Sequence, residues 1–437
     1  MKTVALYTLG CKVSQYETEA IAEGFESRAF RVVPFGEKAD VYVINTCTVT
    51  AESDRKSRQV IRRAQKANPD AVIMVTGCYS QVSPDEVLKL PGVAYVGGTE
   101  RKMKIPEEAE KLLLQKESGV SLSPVCDSAP LSDPHFEKMT VRHAPRTRAY
   151  VKIEDGCECR CTYCAIPGAR GDVRSKLPED VLSEVKGLIA GGTREIVLTG
   201  IEIASYGRDL DGFRLADLLE RLDRECRDVR FRLGSITPEI MTEDFVDRIA
   251  ALKSIVPHFH ISMQSGSDAV LRGMKRRYSA DMALAALARL RARIPTVRFT
   301  TDMMTGFPGE GEKEFEETLA FTEKASFLDM HIFAYSRRKN TPAAQYPDQV
   351  DESVKKERSA TLIALACRLR DKNLDEIIAS DAPLSVLFET RDGEEMHGHS
   401  AEFAEVRVVT GESLHGEIRF VRPTHKKDGV LYGELIN

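Results

Sequence analysis

The sequence lacks the features that direct a protein across or into a membrane. Its 437 residues contain no run of about 18 apolar residues, which is the length that a bilayer requires. The first residues, Met1-Lys2-Thr3-Val4-Ala5, contain no apolar signal-peptide core. We therefore expect a cytoplasmic protein with no membrane partner. In a reducing cytosol its ten cysteines are better suited to metal or cluster ligation than to disulfides.

Two further absences restrict the function. The formal net charge is −5, so the chain has no overall positive charge, and any nucleic-acid partner must be recognised by local basic patches. We find no internal repeat and no low-complexity tract. The chain is long enough for roughly two or three domains, each with its own core.

The most informative feature is a cysteine motif with the spacing C-x3-C-x2-C, formed by Cys157, Cys161 and Cys164. Three thiolates so spaced can ligate three irons of a 4Fe–4S cluster and leave the fourth iron open to a bound molecule. Cys159 offers an alternative spacing, but we interpret it as a bystander because the motif is complete without it. A zinc knuckle or a set of buried thiols is the alternative. Zinc usually needs a second C-x2-C pair or histidines, and neither lies nearby in the sequence.

This segment closely resembles the radical S-adenosylmethionine enzymes. In that family the open iron chelates the amino and carboxylate groups of S-adenosyl-L-methionine, and one electron cleaves the bound molecule to a 5′-deoxyadenosyl radical. The resemblance implies an electron donor such as flavodoxin or ferredoxin. Glu158 and Gly168 stand where the family usually has Asn and Tyr.

The first hundred residues alternate between strand-like and helix-like runs, which predicts a parallel, Rossmann-like α/β sheet. One cysteine directly follows each of three predicted strands: Cys11, Cys47 and Cys78. Because the carboxyl ends of parallel strands line a common crevice, we expect the three thiols to converge on a second cluster that also has an open iron. The alternative is three buried thiols at strand ends.

The N-terminal segment and the cysteine motif together resemble the methylthiotransferase family over essentially the whole chain. The sequence LGCKVSQYE at 9–17 resembles the branch that acts on N6-threonylcarbamoyladenosine in tRNA. The isopentenyladenosine branch usually has GCQMN at this place, and the ribosomal-protein branch has GCPKN. The segments NTCTVT at 45–50 and KSRQ at 56–59 indicate the same branch, although Ser14 replaces the usual Asn.

The resemblance implies a reaction and a substrate. The N6-threonylcarbamoyladenosine at position 37, in the anticodon stem-loop of tRNAs that read codons beginning with A, would become its 2-methylthio derivative. One S-adenosylmethionine would supply the radical and a second the methyl group, while the N-terminal cluster would hold the sulfur. Two alternatives stay open: methylthiolation of a ribosomal protein side chain, and a non-catalytic RNA-binding protein with zinc or a structural iron–sulfur cluster.

Six strand-like runs alternate with helical ones after Arg148, which predicts a partial (β/α)6 barrel. The predicted strands lie near 150–153, 195–199, 229–233, 258–262, 297–304 and 329–333. Catalytic residues of such barrels lie at the carboxyl ends of the strands. Together with the resemblance, this rule predicts contacts to S-adenosylmethionine from Thr199, Gly200, Glu202, Ser235, Gln264, Ser265, Gly306 and Phe307. Glu202 replaces the usual Asn and would add a negative charge to the pocket.

The last sixty residues read as short strands with Gly-containing turns, which predicts a small β-barrel, and the resemblance implies an RNA-binding TRAM barrel. We therefore divide the chain into a methylthiotransferase domain (1–117), a linker (118–146), a radical domain (147–378) and the barrel (379–437). Basic residues predicted to contact RNA, for which a solvated basic face is the alternative, are Arg55, Arg58, Arg62, Lys66, Arg276, Arg277, Arg419 and Lys426.

Overall fold

The computed structural model describes residues 1–128, 130–131 and 133–436, so two residues of the predicted linker and the last residue of the predicted barrel lie outside the described residues. The chain divides into two compact units. The first comprises Met1–Arg142, Tyr150–Asp180 and Ser336–Ala344, and the second comprises 143–149, 181–335 and 345–436.

A six-stranded parallel sheet forms the centre of the first unit. Its strand order is β2-β1-β3-β4-β5-β6, and every neighbouring pair is parallel. The predicted parallel α/β sheet is thereby confirmed. The strands are β1 (Thr3–Thr8), β2 (Arg31–Val33), β3 (Val41–Thr46), β4 (Val72–Gly77), β5 (Val93–Gly97) and β6 (Val125–Asp127).

Helices cover both faces of this sheet. Side chains alternate along a strand, so Val43 of β3 packs in one apolar cluster with Ile21 and Leu112, whereas its neighbour Ile44 packs in another with Ile61. The helices are α1 (Lys12–Glu26), α2 (Ala51–Ala67), α3 (Cys78–Val82), α4 (Pro84–Leu88) and α5 (Ile105–Glu117).

The segment predicted as a linker contributes to the first unit. Its residues Val125–Asp127 form the edge strand β6, and Met139 and Val141 are buried against Tyr16. The chain then passes through β7 (Arg148–Lys152), β8 (Glu154–Asp155), α6 (Ile166–Arg170), β9 (Arg174–Ser175) and α7 (Pro178–Ala190).

The six strands predicted for the radical half all form, within two residues of the predicted bounds. The order within the two sheets is β11-β10-β7 and β12-β13-β14-β15, and β12 continues the direction of β11 after Gly234. The strands follow one another in chain order with helices between them, as in a partial barrel. They are β10 (Glu195–Thr199), β11 (Arg230–Leu233), β12 (Ser235–Ile236), β13 (His258–Gln264), β14 (Arg298–Thr305) and β15 (Asp329–Ala334).

Two helices of the second unit begin directly after a residue that caps them. Thr242 and Ser279 each accept a hydrogen bond from a backbone N–H in the first turn of the helix that follows, which satisfies a donor that the helix leaves open. The helices are α8 (Leu215–Glu225), α9 (Glu243–Ala250), α10 (Asp268–Gly273), α11 (Ala280–Arg293), α12 (Glu312–Ala325) and α13 (Glu352–Ala379).

A closed five-stranded barrel follows α13, which confirms the predicted small β-barrel. The strand order is β16-β17-β18-β20-β19, and the interior is apolar. The strands are β16 (Leu384–Asp392), β17 (Glu395–Ser400), β18 (Glu405–Val409), β19 (Ile418–Lys427) and β20 (Val430–Leu435). Among the described residues no helix combines the length and the apolar character that crossing a bilayer requires.

Candidate functional site

The three N-terminal cysteines leave three adjacent strands at the same edge of the sheet. Cys11 follows β1 and precedes α1, Cys47 follows β3, and Cys78 follows β4 and begins α3. The strands β1, β3 and β4 are neighbours and parallel, so their carboxyl ends lie side by side. Cys11 is exposed, whereas Cys47 and Cys78 are 8% and 4% exposed.

Two glycines allow these strand ends to approach one another closely. Gly10 and Gly77 directly precede Cys11 and Cys78 and have φ values of +119° and +104°, which side chains other than glycine rarely adopt. A Cβ atom on Gly77 would lie 2.5 Å from the Thr46 backbone oxygen, and one on Gly10 would lie 3.1 Å from Cys47 Cβ. The backbone before Cys11 is therefore in direct contact with Cys47.

The three thiols lie within electrostatic range of one another. Burial raises the pKa of Cys47 to about 11, and the neighbouring Cys78 and Cys11 contribute to the rise. Burial also raises the pKa of Cys78, whereas the positive charges of Arg170 and Lys102 oppose this rise. Three convergent thiols with cations nearby are a suitable donor set for an anionic iron–sulfur cluster.

The second cysteine triad lies on a folded loop of the same unit. The Cys157 N–H donates to the Gly171 carbonyl at 2.9 Å, and the Cys164 N–H donates to the Cys161 carbonyl at 3.0 Å. Gly156 precedes the loop with φ of +91°, and a Cβ atom there would lie 1.9 Å from the Asp172 carbonyl oxygen. The loop is therefore held in one conformation, with the Cys161 side chain buried.

Cys159 lies within the loop but has a contact of its own. Its backbone N–H donates to Cys157 Sγ at 3.5 Å, a type of hydrogen bond that commonly stabilises a ligated thiolate. Cys159 therefore acts as a backbone donor to Cys157. Any residue except proline could supply this N–H. The contact involves the Cys159 backbone, and the interpretation of its thiol as a bystander stays a prediction.

Within the described residues no group of three or more His, Cys, Asp or Glu side chains is close enough to hold one metal ion. Thiolates on a single zinc ion lie within about 4.6 Å of each other, because each Zn–S bond is about 2.3 Å long. A 4Fe–4S cluster binds each thiolate to a different iron, so its ligands do not have to meet at one point. The absence of a single-ion site therefore does not count against a cluster at either triad.

A buried ionic network, which the sequence analysis missed, lies beside both triads in the first unit. Its five charged side chains are at most 4% exposed. Glu17 accepts hydrogen bonds from Lys152 Nζ at 2.9 Å and Arg170 Nη1 at 2.7 Å, and also from Lys102. Asp155 accepts from Lys152 Nζ at 2.5 Å and Arg170 Nη1 at 3.0 Å. We call these five residues the Glu17 network: Glu17, Lys102, Lys152, Asp155 and Arg170.

The two carboxylates of the Glu17 network are held ionised. Burial raises the pKa of Glu17, but the charges of Arg170, Lys102 and Lys152 outweigh it and hold this pKa well below its ordinary value. The same balance, with Arg170 and Lys152 as the cations, lowers the pKa of Asp155 to about 2. A sequence signal existed only for Glu17, which is a charged residue on the buried face of the helix that follows Cys11.

In the second unit the predicted S-adenosylmethionine contacts differ in their placement. Five lie at or just after the carboxyl ends of parallel strands: Thr199, Gly200, Glu202, Gln264 and Gly306. Ser235 follows β11 by two residues but is the first residue of β12, where it pairs with His260. The other two are fully buried in packing contacts. Ser265 Oγ lies 3.2 Å from Thr318 Oγ1, and Phe307 packs edge-on against Tyr335 and Tyr346.

The basic residues predicted on α2 do share that helix, but they differ in their partners. Arg55 donates to the Glu52 carboxylate, at 2.7 Å through Nε. Arg58 donates to the Tyr79 hydroxyl at 3.1 Å. Two others are exposed and have no ion-pair partner among the described residues: Arg62 and Lys66.

The four remaining basic residues lie in the second unit. Arg419 and Lys426 are each paired with a carboxylate at 2.8 Å. Arg276 donates through Nε to the Tyr278 hydroxyl at 2.7 Å, and its guanidinium lies over the Tyr278 ring. Arg277 is exposed. Arg276, Arg419 and Lys426 are therefore already engaged within the protein.

Two family models match the chain. Residues 3–98 match an uncharacterized protein family, UPF0004, and residues 151–322 match the radical SAM superfamily. Among solved structures, the radical S-adenosylmethionine methyltransferase TsrM from Kitasatospora setae aligns with a TM-score of 0.59 at 14% identity, covering 90% of this chain and 81% of TsrM. This similarity shows the fold.

Curated relatives match nearly the whole chain. The threonylcarbamoyladenosine tRNA methylthiotransferase MtaB of Bacillus subtilis is 40% identical over 99% of this chain and 96% of its own length. The protein of the same name from Thermotoga maritima is 40% identical over 82% of this chain and 80% of its own. A tRNA-2-methylthio-N(6)-dimethylallyladenosine synthase of Carboxydothermus hydrogenoformans is 35% identical over 83% of both chains.

Proposed function

The chain belongs to the threonylcarbamoyladenosine tRNA methylthiotransferase family of radical S-adenosylmethionine enzymes, and we propose that it methylthiolates N6-threonylcarbamoyladenosine at position 37 of tRNA. The observation that carries this proposal is the presence of two separate cysteine triads in one compact unit. A radical enzyme without sulfur insertion needs only the triad on the loop. The N-terminal triad, at the sheet edge, supplies a place for sulfur.

We assign one 4Fe–4S cluster to each triad. The first would be held by Cys11, Cys47 and Cys78, and the second by Cys157, Cys161 and Cys164. When bound, the two clusters and S-adenosylmethionine would supply the radical, the sulfur and the methyl group. The chain's own contribution is positional: glycine turns bring the thiols together, and burial of Cys47, Cys78 and Cys161 keeps water from them.

The strand ends of the second unit are proposed to hold S-adenosylmethionine. Thr199, Gly200, Glu202, Ser235, Gln264 and Gly306 are the candidates for direct contact, because ligands of such barrels bind at this edge. Ser265 and Phe307 would support them from the core. An electron donor of the flavodoxin or ferredoxin class would complete the reaction.

We propose the tRNA anticodon stem-loop as substrate and the cytoplasm as location. Arg62 and Lys66 are the foremost candidates for phosphate contacts, because neither has an ion-pair partner among the described residues. The division into a methylthiotransferase domain at 1–117, a linker at 118–146, a radical domain at 147–378 and an RNA-binding barrel at 379–437 stays a prediction.

Mass spectrometry of tRNA nucleosides tests this function. Cells that lack this protein, and have no other enzyme for the reaction, should lose 2-methylthio-N6-threonylcarbamoyladenosine and accumulate its unmodified precursor. A plasmid copy should restore the product, whereas a copy with Cys47→Ala should not. If the threonylcarbamoyl nucleoside is unchanged and a methylthio group disappears from isopentenyladenosine or from a ribosomal protein instead, the substrate assignment is wrong.

A further inference from the structure

The Glu17 network has more positive than negative side chains. Lys102, Lys152 and Arg170 are cations, whereas only Glu17 and Asp155 are anions, and all five are buried in the first unit. A buried charge without a counter-charge is strongly unfavourable. Glu137 lies within electrostatic range of Lys102 and Lys152, but burial raises its pKa, so the surplus positive charge favours a further anionic group close by.

Contacts of the Glu17 network lead to the N-terminal cysteine triad. Glu17 lies on α1, which begins directly after Cys11. Lys102 Nζ lies 3.4 Å from the Asn45 side-chain oxygen, and Asn45 is two residues before Cys47. Helix α3, which begins with Cys78, packs against helix α6, which ends with Arg170. Each of the three cysteines is thus adjacent to a segment that the network holds.

The same network also contacts the backbone before the radical loop. Asp155 Oδ1 accepts a hydrogen bond from the Gly156 N–H at 2.9 Å, one residue before Cys157. This contact comes from an anion of the network and reaches the backbone only. The cations Lys102 and Arg170, in contrast, lie on the side of the N-terminal triad. Within that triad the positive charges of Lys102 and Arg170 act on the Cys78 thiol.

We propose that the Glu17 network is a charge-balancing site for the iron–sulfur cluster of the N-terminal triad, with Lys102 and Arg170 offsetting the negative charge of the three thiolates. This inference rests on the proposed two-cluster function. Reduction adds an electron to a cluster, and the potential of an iron–sulfur cluster depends on net charge and burial around it. The surplus cations therefore raise the reduction potential of the N-terminal cluster and have a smaller effect on the radical cluster.

Charge variants with opposite expected signs test the proposal. In a full-length background with Cys157→Ala, Cys161→Ala and Cys164→Ala, only the N-terminal cluster can form, and its midpoint potential is measured by redox titration followed by electron paramagnetic resonance. Lys102→Met should lower the midpoint potential by at least about 59 mV. For a one-electron couple, this shift lowers the ratio of reduced to oxidised cluster tenfold at a fixed applied potential. Glu17→Gln removes an anion and should raise the potential.

A double variant separates net charge from loss of structure. Glu17→Gln with Lys102→Met removes one charge of each sign, so its potential should lie closer to the parent than that of either single variant. Lys111→Met serves as the matched control, because Lys111 is a half-exposed cation of the same unit that pairs with Glu107 and Glu108. Its potential should not change.

Each outcome supports or overturns the proposal. Equal potentials in the parent, Lys102→Met and Glu17→Gln would overturn it, and so would shifts of the same sign in both single variants. An equal shift in the complementary background, where Cys11, Cys47 and Cys78 are replaced and only the radical cluster forms, would also contradict it. If the parent background binds no iron at all, the two-cluster function itself is wrong. That outcome differs from one in which the cluster forms but its midpoint potential is the same in all charge variants, which contradicts the charge-balancing proposal alone.

Discussion

Each unit of the molecule buries an ionic network around one glutamate, and the two networks differ in what surrounds their cations. In the second unit Glu195 is fully buried and pairs with Arg230 at 2.6 Å and Arg232 at 2.9 Å, with Arg148 at 3.6 Å. In the first unit Glu17 is surrounded by two lysines and an arginine. Both networks have surplus positive charge, so both must satisfy it in another way.

Backbone carbonyls satisfy two of the cations around Glu195, and the third, Arg148, pairs with the Glu389 carboxylate. Arg230 donates to the carbonyl of Ser385 at 2.9 Å, and Arg232 donates to the carbonyls of Ser400 at 3.2 Å and Ala401 at 3.1 Å. These carbonyls belong to the C-terminal barrel and to the turn after β17. The Glu195 network therefore holds the barrel against the strands β10 and β11, which is a structural role.

Within the described residues the side chains of the Glu17 network's cations donate to carboxylates and to the Asn45 side chain. The Glu137 carboxyl and the Cys78 thiol lie within electrostatic range of them. The pKa values show the difference. Burial lowers the pKa of Arg232 despite the charge of Glu195. Burial acts in the same direction on Arg170, but Asp155, Cys78 and Glu17 outweigh it and hold the pKa above its ordinary value. A buried ionic network can therefore serve a structural role in one unit and a cofactor site in the other.

The largest expected effect comes from the thiols themselves. Cys161→Ala should abolish reductive cleavage of S-adenosylmethionine under dithionite, because an incomplete ligand set cannot hold the radical cluster. Cys47→Ala should retain cleavage but form no methylthiolated product, because only the N-terminal cluster is lost. Cys159→Ala should match the wild type in iron content and product. If Cys159→Ala loses the radical cluster while Cys157→Ala keeps it, we have chosen the wrong three ligands.

A glycine substitution should remove the N-terminal cluster without touching a thiol. Gly77→Ala forces a Cβ atom to within 2.5 Å of Asn45 Oδ1 and the Thr46 carbonyl in a backbone conformation that disfavours alanine. We expect the iron content to fall from about eight atoms per chain to about four. Gly36→Ala is the control, since nothing lies within 4 Å of its added Cβ. Full iron content in Gly77→Ala would show that the Gly77 turn does not position Cys78.

The sequence allowed the fold to be predicted where apolar runs and amphipathic helices alternate, as in all six strands of the radical half. It failed where a strand has no apolar side. The strand Glu395–Ser400 buries Met396, Gly398 and Ser400, so only one of its three inward residues is apolar. Val125–Asp127 was missed because a three-residue edge strand has no periodicity.

Only the parts of the site that follow a local sequence motif were predicted. Both cysteine triads follow local signals, namely a fixed spacing and a shared position after each strand. The Glu17 network joins side chains up to 153 positions apart, and single charged residues in buried segments have no spacing pattern that connects them. Some strand-end residues, such as Phe307, are buried in packing contacts. The sequence does not reveal which ones, because this depends on tertiary contacts.

Removing Glu195 tests the structural half of the comparison. Glu195→Gln leaves buried arginines without a counter-charge, which typically destabilises by about 3–5 kcal/mol. Hydrogen exchange of the amides in Glu195–Thr199 should become roughly 10²- to 10³-fold faster, or more, at neutral pH. Glu220→Gln is the control, because Glu220 pairs with Arg248 on a half-exposed surface and such pairs contribute at most about 1 kcal/mol. The potential of the N-terminal cluster should not move in either variant.

The stabilisation by Glu195 should also depend on pH. Burial raises the pKa of this carboxyl, but Arg232 and Arg230 outweigh it and lower the pKa to about 2 from 4.5. A carboxyl with a depressed pKa stabilises the fold above its unfolded pKa and loses that effect as the pH falls through the folded pKa. The difference in exchange between wild type and Glu195→Gln should therefore shrink between about pH 4.5 and pH 2. A constant difference would contradict the assigned ionisation.

The smallest expected effect concerns the surface, where the same contrast between satisfied and unsatisfied cations recurs. Arg62 and Lys66 on α2 have no ion-pair partner among the described residues, whereas Arg419 and Lys426 are paired with carboxylates. A basic side chain that is already paired with a carboxylate neutralises a phosphate less completely, so fewer counterions are released from the RNA. In binding measurements with unmodified tRNA over a range of salt, replacing Arg62 and Lys66 with Ala should reduce the slope of log affinity against log salt by about 1 for each lost contact. Replacing Arg419 and Lys426 should change it less. Equal slopes for the two double variants would show that partners within the protein do not decide which basic residues bind RNA.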